Sequence, residues 1–232
     1  MKQFSCKVTA LETLSPNVYR VLLELPEAIE FVAGQYLQVV MGERDKRPFS
    51  IASCPSKTRE LELHIGATPD NPYAMEVIEA IRANGELTIE APLGDAGYRE
   101  DSDRSLILIA GGTGFSYTWS ILQAHLRSGS KRPVTLYWGG RKAADLYYDE
   151  KLKQLSDDHA NFHYRPVVEE AGAGWHGTIG LVPHAVLAEQ SDLSDADVYV
   201  AGRFEMVRVI RDDFHARGLP LAQLYGDALA FI

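Results

Sequence analysis

The chain has 232 residues, with 23 Lys and Arg against 32 Asp and Glu, a net charge of −9. That balance argues against nucleic acid or an anionic membrane as a bulk partner, so any anion must be held by a local site. Two cysteines, Cys6 and Cys54, match no metal-ligand spacing and imply free thiols in a reducing compartment, with no metal site expected. No apolar run approaches the ~18 residues that a membrane span requires. The opening MKQFSCKV lacks the apolar core of a signal peptide, so a cytoplasmic protein is expected.

From Cys6 to Ile89 the pattern is one of short strands separated by turns. Val18–Leu25 alternates in part and ends at Pro26. Phe31–Val40 contains Gly34 and then alternates around Tyr36 and Gln38, while Leu61–Ile65 and Leu87–Ala91 alternate throughout. Strands at this spacing predict a small antiparallel barrel or sandwich. One helix interrupts them, Tyr73–Ala83, with Ala74, Val77, Ile78 and Ile81 on one face and Asn84-Gly85 as its stop. Gly97–Arg104 is charged and poor in apolar residues, and reads as a linker between domains 1–98 and 105–232.

Within the first domain, Arg47-Pro-Phe-Ser-Ile-Ala-Ser53 gathers a guanidinium, an aromatic ring and two hydroxyls on one short segment. Pro48 stiffens it and biases Arg47 to an extended conformation. The mixture suits a planar polar heterocycle, which needs apolar packing on its face and hydrogen bonds at its edge. It equally suits an edge strand with a solvated Arg and turn-forming serines.

Leu106–Ala110 has the length of a strand buried on both faces, and Gly111, Gly112 and Gly114 follow it at once. Phe115, Trp119, Leu122 and Leu126 then recur near a helical period. Strand, glycine turn and helix start together form an anion site, or simply a tight turn that needs positive φ. Beyond it come a strand Val134–Trp138 ending in Gly139-Gly140-Arg141, a helix around Tyr148–Leu155 and a strand Phe162–Val168. A helix Leu181–Gln190, a strand Asp197–Ala201 and a helix Phe204–Arg217 complete the pattern. This alternation predicts a parallel sheet with helices on both faces. Ligands of such sheets bind beyond the carboxyl ends of the strands, which selects Gly111–Gly114, Gly139–Arg141 and Gly202–Glu205 as one surface. The loop does not spell G-x-G-x-x-G, and no carboxylate ends the second strand.

Taken together, GQYL, ERDKRPFS, ELHIG, ILIAGGTGFSY, YWGGR, AGRFEM and YGDALAFI resemble the ferredoxin–NADP⁺ reductase superfamily. Within it the chain is similar to the bacterial NAD(P)H–flavin oxidoreductases. The resemblance implies an N-terminal antiparallel β-barrel that binds flavin, followed by a parallel-sheet α/β domain that binds NADPH or NADH. Arg47, Pro48, Phe49 and Ser50 would line the isoalloxazine, with the Ser50 hydroxyl near N5 as the catalytic contact. His64, Ile65 and Gly66 would form the neighbouring wall, and Phe231 would shield the second face of the ring. Gly111, Gly112, Thr113, Gly114, Gly139, Arg141, Gly202 and Arg203 would hold the nucleotide. With Arg141 present and no acid at its strand end, NADPH should serve at least as well as NADH.

Three departures from the superfamily pattern stand out. Pro69-Asp-Asn-Pro-Tyr-Ala-Met75 carries no glycine and no hydroxyl cluster where FAD-retaining relatives cradle the pyrophosphate. Phe49 stands where a Tyr is usual. Ala201-Gly202-Arg203 replaces Cys-Gly-Pro, leaving Arg203 to offer charge to a phosphate. The expected function is therefore reduction of free riboflavin, FMN or FAD, with flavin as substrate and the reduced flavin passed to downstream users. The alternatives are an oxygenase reductase with tightly held flavin, whose iron–sulfur centre would lie on a partner, or a non-catalytic flavin-binding module.

Overall fold

The computed structural model describes residues 1–68 and 71–232. They form two compact units, Met1–Tyr98 with Trp119–Ala124, and Arg99–Thr118 with His125–Ile232. The first is built on β1 (Lys2–Ser15), β2 (Val18–Glu24), β3 (Tyr36–Gly42), β4 (Asp45–Ser50), β5 (Glu60–Gly66) and β6 (Glu86–Leu93). These pair antiparallel in the order β4-β3-β6-β1-β2-β5. Just past β4, the Ala52 N–H donates to the Glu62 carbonyl of β5 at 2.7 Å, which joins the two edge strands and closes the barrel.

Helix α1 (Pro72–Asn84) buries Ala74, Val77, Ile78 and Ile81, the four residues its periodicity selects. It begins at a proline and ends at Gly85, whose φ of +67° lets its N–H reach the Ile81 carbonyl at 2.8 Å. The barrel core adds Phe4, Val21, Leu23, Leu37, Val39, Leu61, Leu63, Leu87 and Ile89.

β1 has no counterpart in the sequence reading. Its register slips between Val8 and Ala10 and again between Thr13 and Ser15, and the inward alternation of Phe4, Cys6, Val8 and Ala10 is lost beyond Ala10. β5 departs differently: Glu62 and His64, on its polar side, are as buried as its apolar side.

The second unit opens with β7 (Ser105–Gly111), a 3₁₀ turn Gly112–Gly114 and α2 (Phe115–Ser128), of which Trp119–Ala124 groups with the barrel. It continues through β8 (Val134–Gly140), α3 (Asp149–Asp158), β9 (Phe162–Val168), β10 (Thr178–Ile179) and α4 (Val182–Glu189). β11 (Ala196–Ala201), α5 (Phe204–Ala216) and β12 (Leu224–Tyr225) end it. The parallel order is β10-β9-β8-β7-β11-β12. From β7 the chain steps outward through β8 and β9, then returns to place β11 on the other side of β7. The strand order therefore reverses at β7 and β11, where such sheets bind ligands.

The Arg99–Arg104 part of the expected linker is tied down within this unit. Asp197, fully buried at the start of β11, accepts from Arg132 Nη2 at 2.6 Å and Arg104 Nε at 2.8 Å. Arg132 also donates to the carbonyls of Arg99 and Arg104, and the Arg99 N–H donates to the Tyr199 hydroxyl at 2.9 Å.

Candidate functional site

In the barrel unit, β4 pairs Arg47 with Val39, Phe49 with Leu37, and Ser50 with Tyr36. Strand alternation sends Arg47 and Phe49 to the face shared with those core residues, and Pro48 and Ser50 to the other. Arg47 is buried and heavily committed. Its Nε and Nη2 donate to Asp45 at 2.8 and 2.5 Å, Nη2 donates to Glu76 at 2.6 Å, and Nη1 donates to the Tyr73 carbonyl. The guanidinium thus ties β4 to the first turns of α1, with the Tyr73 ring 4.8 Å away. Phe49 packs in part against the core, and Pro48 is exposed.

Ser50 is half-buried, and its hydroxyl has no hydrogen-bond partner among the described residues. The backbone after it is anchored at each residue. Ile51 N–H reaches the Gln35 carbonyl, and Ser53 Oγ accepts from the Glu62 N–H at 3.1 Å. Ser120 Oγ and Gln123 Nε2, from the part of α2 that groups with the barrel, donate to the carbonyls of Ser53 and Ala52 at 2.8 and 2.9 Å. Neither residue gave a signal in the sequence, because their partners lie about seventy positions away and are main-chain atoms.

His64 is buried beside Glu62, 2.8 Å from Nε2 to Oε1, while Arg20 Nη2 holds the other carboxylate oxygen at 2.9 Å. Burial pushes the Glu62 carboxyl up, but the bonds from His64 and Arg20 outweigh it and hold the group at about 2. The polar face of β5 is therefore a buried hydrogen-bonded network rather than a solvated surface. Ile65 is fully buried and Gly66 half-buried at the strand's end.

In the parallel-sheet unit the glycines divide by role. A Cβ on Gly114 would stand 2.2 Å from the Ala201 carbonyl oxygen, and one on Gly202 would stand 2.4 Å from Met206 Cε. A Cβ on Gly139 would meet Val182 at 2.1 Å. These three let strand ends and helices close on one another. Gly112 differs: its φ is +54° and no atom would crowd a Cβ there, so its backbone stays open to a ligand. Thr113 is half-buried beside it, and no side chain caps α2. Ser116, in the first turn of α2, is buried with its hydroxyl unpartnered. An uncapped helix start, an open glycine and an orphaned hydroxyl fit a phosphate-bearing ligand.

Trp138, at the end of β8, fixes this turn. Its indole N–H donates to the Gly112 carbonyl at 2.9 Å, and its ring stacks on Phe115 at 3.9 Å. Trp138→Phe keeps the stack and removes the N–H. A lost hydrogen bond of ~1 kcal/mol is expected to raise KM for the nicotinamide nucleotide about fivefold, with a smaller change in kcat. Steady-state kinetics with the nucleotide varied check this, and an unchanged KM would mean the turn holds its shape without the indole.

Arg141 is exposed and ion-paired, with Nε 2.7 Å from Glu170 Oε1. Hydrogen bonding to Glu170 raises the Arg141 group further and lowers the Glu170 carboxyl. Arg203 caps α5 in an extended conformation, with an exposed side chain that has no ion-pair partner among the described residues. Phe231 leaves 76% of its surface open, its ring centroid 6.4 Å from that of Phe204. Among the described residues no cluster of three or more His, Cys, Asp or Glu could hold a metal, and no helix is long and apolar enough to cross a membrane.

Two domain families match. The oxidoreductase FAD-binding domain matches residues 5–98, and the oxidoreductase NAD-binding domain matches residues 108–212. The chain is 48% identical to the NAD(P)H-flavin reductase of Vibrio harveyi, over 98% of each chain. It is also 48% identical to that of Aliivibrio fischeri, over 98% of this chain and 99% of the relative. Among solved structures, an Amycolatopsis cytochrome P450 reductase superposes with a TM-score of 0.89 at 26% identity, covering 97% of this chain and 68% of the other.

Proposed function

The chain belongs to the NAD(P)H–flavin reductase family, and from that premise we propose that it reduces free flavins with NAD(P)H and releases the product. The observation that carries the proposal is the likeness over 98% of both chains, since it spans both units rather than one domain alone. When both substrates are bound, the nicotinamide supplies a hydride and the flavin ring accepts it at N5. Such a transfer needs no general base, so the protein contributes by holding two rings within reach.

Ser50 donates a hydrogen bond at N5, a role supported by its unpartnered hydroxyl at the anchored end of β4. Pro48, on the same face as Ser50, supplies apolar contact, and Gly66 stands at the adjoining edge; Phe49, turned to the core, and the buried His64 and Ile65 support that edge from behind. Arg47 acts mainly as a brace, since four of its five N–H groups are already taken by Asp45, Glu76 and Tyr73. Phe231 presents an open aromatic face in the parallel-sheet unit. Gly112 and the first turn of α2, with Ser116, receive the nucleotide's phosphates. Arg203 adds charge there, and Arg141 stands at the adenosine end.

Flavin is taken as a substrate. Of the segment in which the sequence lacks a phosphate cradle, Pro69 and Asp70 lie outside the described residues. Asn71 makes no side-chain cap bond to α1, and Arg47, the cation beside that helix, is neutralised by Asp45 and Glu76. These features support recognition of the ring and ribityl chain, which riboflavin, FMN and FAD share. Reduced flavin released to solution suits a flavin-dependent oxygenase, a luciferase or ferric iron as acceptor.

The test is loss of nicotinamide absorbance with and without added riboflavin. Sustained oxidation that requires riboflavin is expected. Oxidation without added flavin would favour a retained prosthetic group, and none under any condition would leave a binding module.

A further inference from the structure

β8 and β9 continue to pair beyond their ends. Glu169 N–H donates to the Gly140 carbonyl at 3.2 Å, and Glu170 N–H donates to the Arg141 carbonyl at 2.8 Å. These two main-chain bonds fix the register so that the Glu170 carboxylate meets the Arg141 guanidinium at 2.7 Å. The other oxygen of Glu170 lies 3.6 Å from Lys142 Nζ. A carboxylate therefore stands beside the end of β8 after all, delivered from the neighbouring strand. Glu169 and Asp145 also act on Arg141, so two cations are set among three anions.

We infer that Glu170 sets the choice between the two nicotinamide dinucleotides by masking Arg141 from a 2′-phosphate. The inference rests on the placement of Arg141 at the adenosine end of the nucleotide. A ribose 2′-hydroxyl can donate to a carboxylate, whereas a 2′-phosphate must displace that carboxylate and sit among like charges. NADH is accordingly the better hydride donor, the reverse of what Arg141 alone suggests. The pair is exposed and its register is set by main-chain bonds, so Glu170→Gln removes the charge without disturbing the fold.

The experiment compares the wild-type chain, Glu170→Gln, Arg141→Ala and the double variant, each with NADH and NADPH. Binding of adenosine 2′,5′-bisphosphate against adenosine 5′-monophosphate, measured by calorimetry, provides a readout that needs no turnover. Glu170→Gln is expected to raise the NADPH-to-NADH ratio of kcat/KM about fivefold, near the upper end for an exposed ion pair. The bisphosphate should gain on the monophosphate by a similar factor. Arg141→Ala is expected to lower both ratios, and adding Glu170→Gln to it should raise them clearly less than Glu170→Gln alone does, because only the masking of Arg141 is lost with Arg141.

An unchanged ratio in Glu170→Gln, with a lowered one in Arg141→Ala, overturns the inference and leaves Arg141 at the adenosine. The same gain from Glu170→Gln with or without Arg141 also overturns it, because the carboxylate would then act as a simple repelling charge. No shift in any variant removes Arg141 from the adenosine, and the inference falls with it. Preserved binding differences without turnover would leave the inference standing and count against the proposed activity instead.

Discussion

Asp197→Asn is expected to destabilise the parallel-sheet unit by ~3–5 kcal/mol, the usual cost of breaking a buried charge pair from one side. Asp197 is fully buried, and the side chain of Arg132 is only 4% exposed. Removing the carboxylate leaves that guanidinium in the interior, bonded to the carbonyls of Arg99 and Arg104 but without its carboxylate partner. It also frees Arg104, and with it the Arg99–Arg104 segment that the pair ties to the start of β11. Arg104→Ala should cost much less, since that side chain is 37% exposed and water can take its place at Asp197. Denaturant unfolding of the two variants checks the contrast. A loss below ~1 kcal/mol for Asp197→Asn, within the range of an exposed pair, would show that the interior charge is relieved some other way.

Ser50→Ala is expected to lower kcat by about tenfold or more, taking a transition-state hydrogen bond as ~1.5–3 kcal/mol. The structure makes this a clean deletion. The Ser50 hydroxyl bonds to nothing among the described residues, so alanine leaves no orphaned partner and the fold should be untouched. Flavin KM should change less, because the proposed ring contact with Pro48 would remain. The comparison needs hydride transfer to limit the rate, which a primary isotope effect with deuterated NADH establishes. An unchanged kcat under a full isotope effect would remove Ser50 from the mechanism.

What the sequence disclosed, and what it hid, follows from the range of the interactions involved. The apolar face of α1 and the buried β7 strand are local patterns, and both are found where their periodicity places them. The parallel character of the second sheet follows from the alternation of strand and helix, while its strand order is set by tertiary packing that no local pattern carries. β1 alternates from Gln3 to Ala10, a pattern that was there to be read, and only its second half, past the first register shift, carries no period of two. The burial of Glu62 and His64 is not visible in the alternation of β5, because Arg20, which pairs with Glu62, lies on a different strand.

The functional residues divide the same way. Gly111–Gly114 was legible as a loop, but only the structure separates Gly112, open to a ligand, from Gly114, which lets helix and strand ends close together. Ser120, Gln123 and Trp138 act through main-chain carbonyls, which no residue pattern announces. Glu170 escaped because it follows β9, 29 positions from Arg141, and only strand register brings the two together.

Flavin is expected to enter and leave with every turnover. The most direct measurement of this is the flavin content of the purified protein after gel filtration, read from the visible spectrum. Ring contacts with few holds on a flexible ribityl chain give modest affinity, because ordering that chain costs entropy. The protein should emerge colourless, and initial rates with NADH and riboflavin varied together should give intersecting lines, as expected when both substrates must be bound at once. Stoichiometric FAD that survives filtration, with parallel lines of a ping-pong cycle, would contradict the account and identify a resident flavin instead.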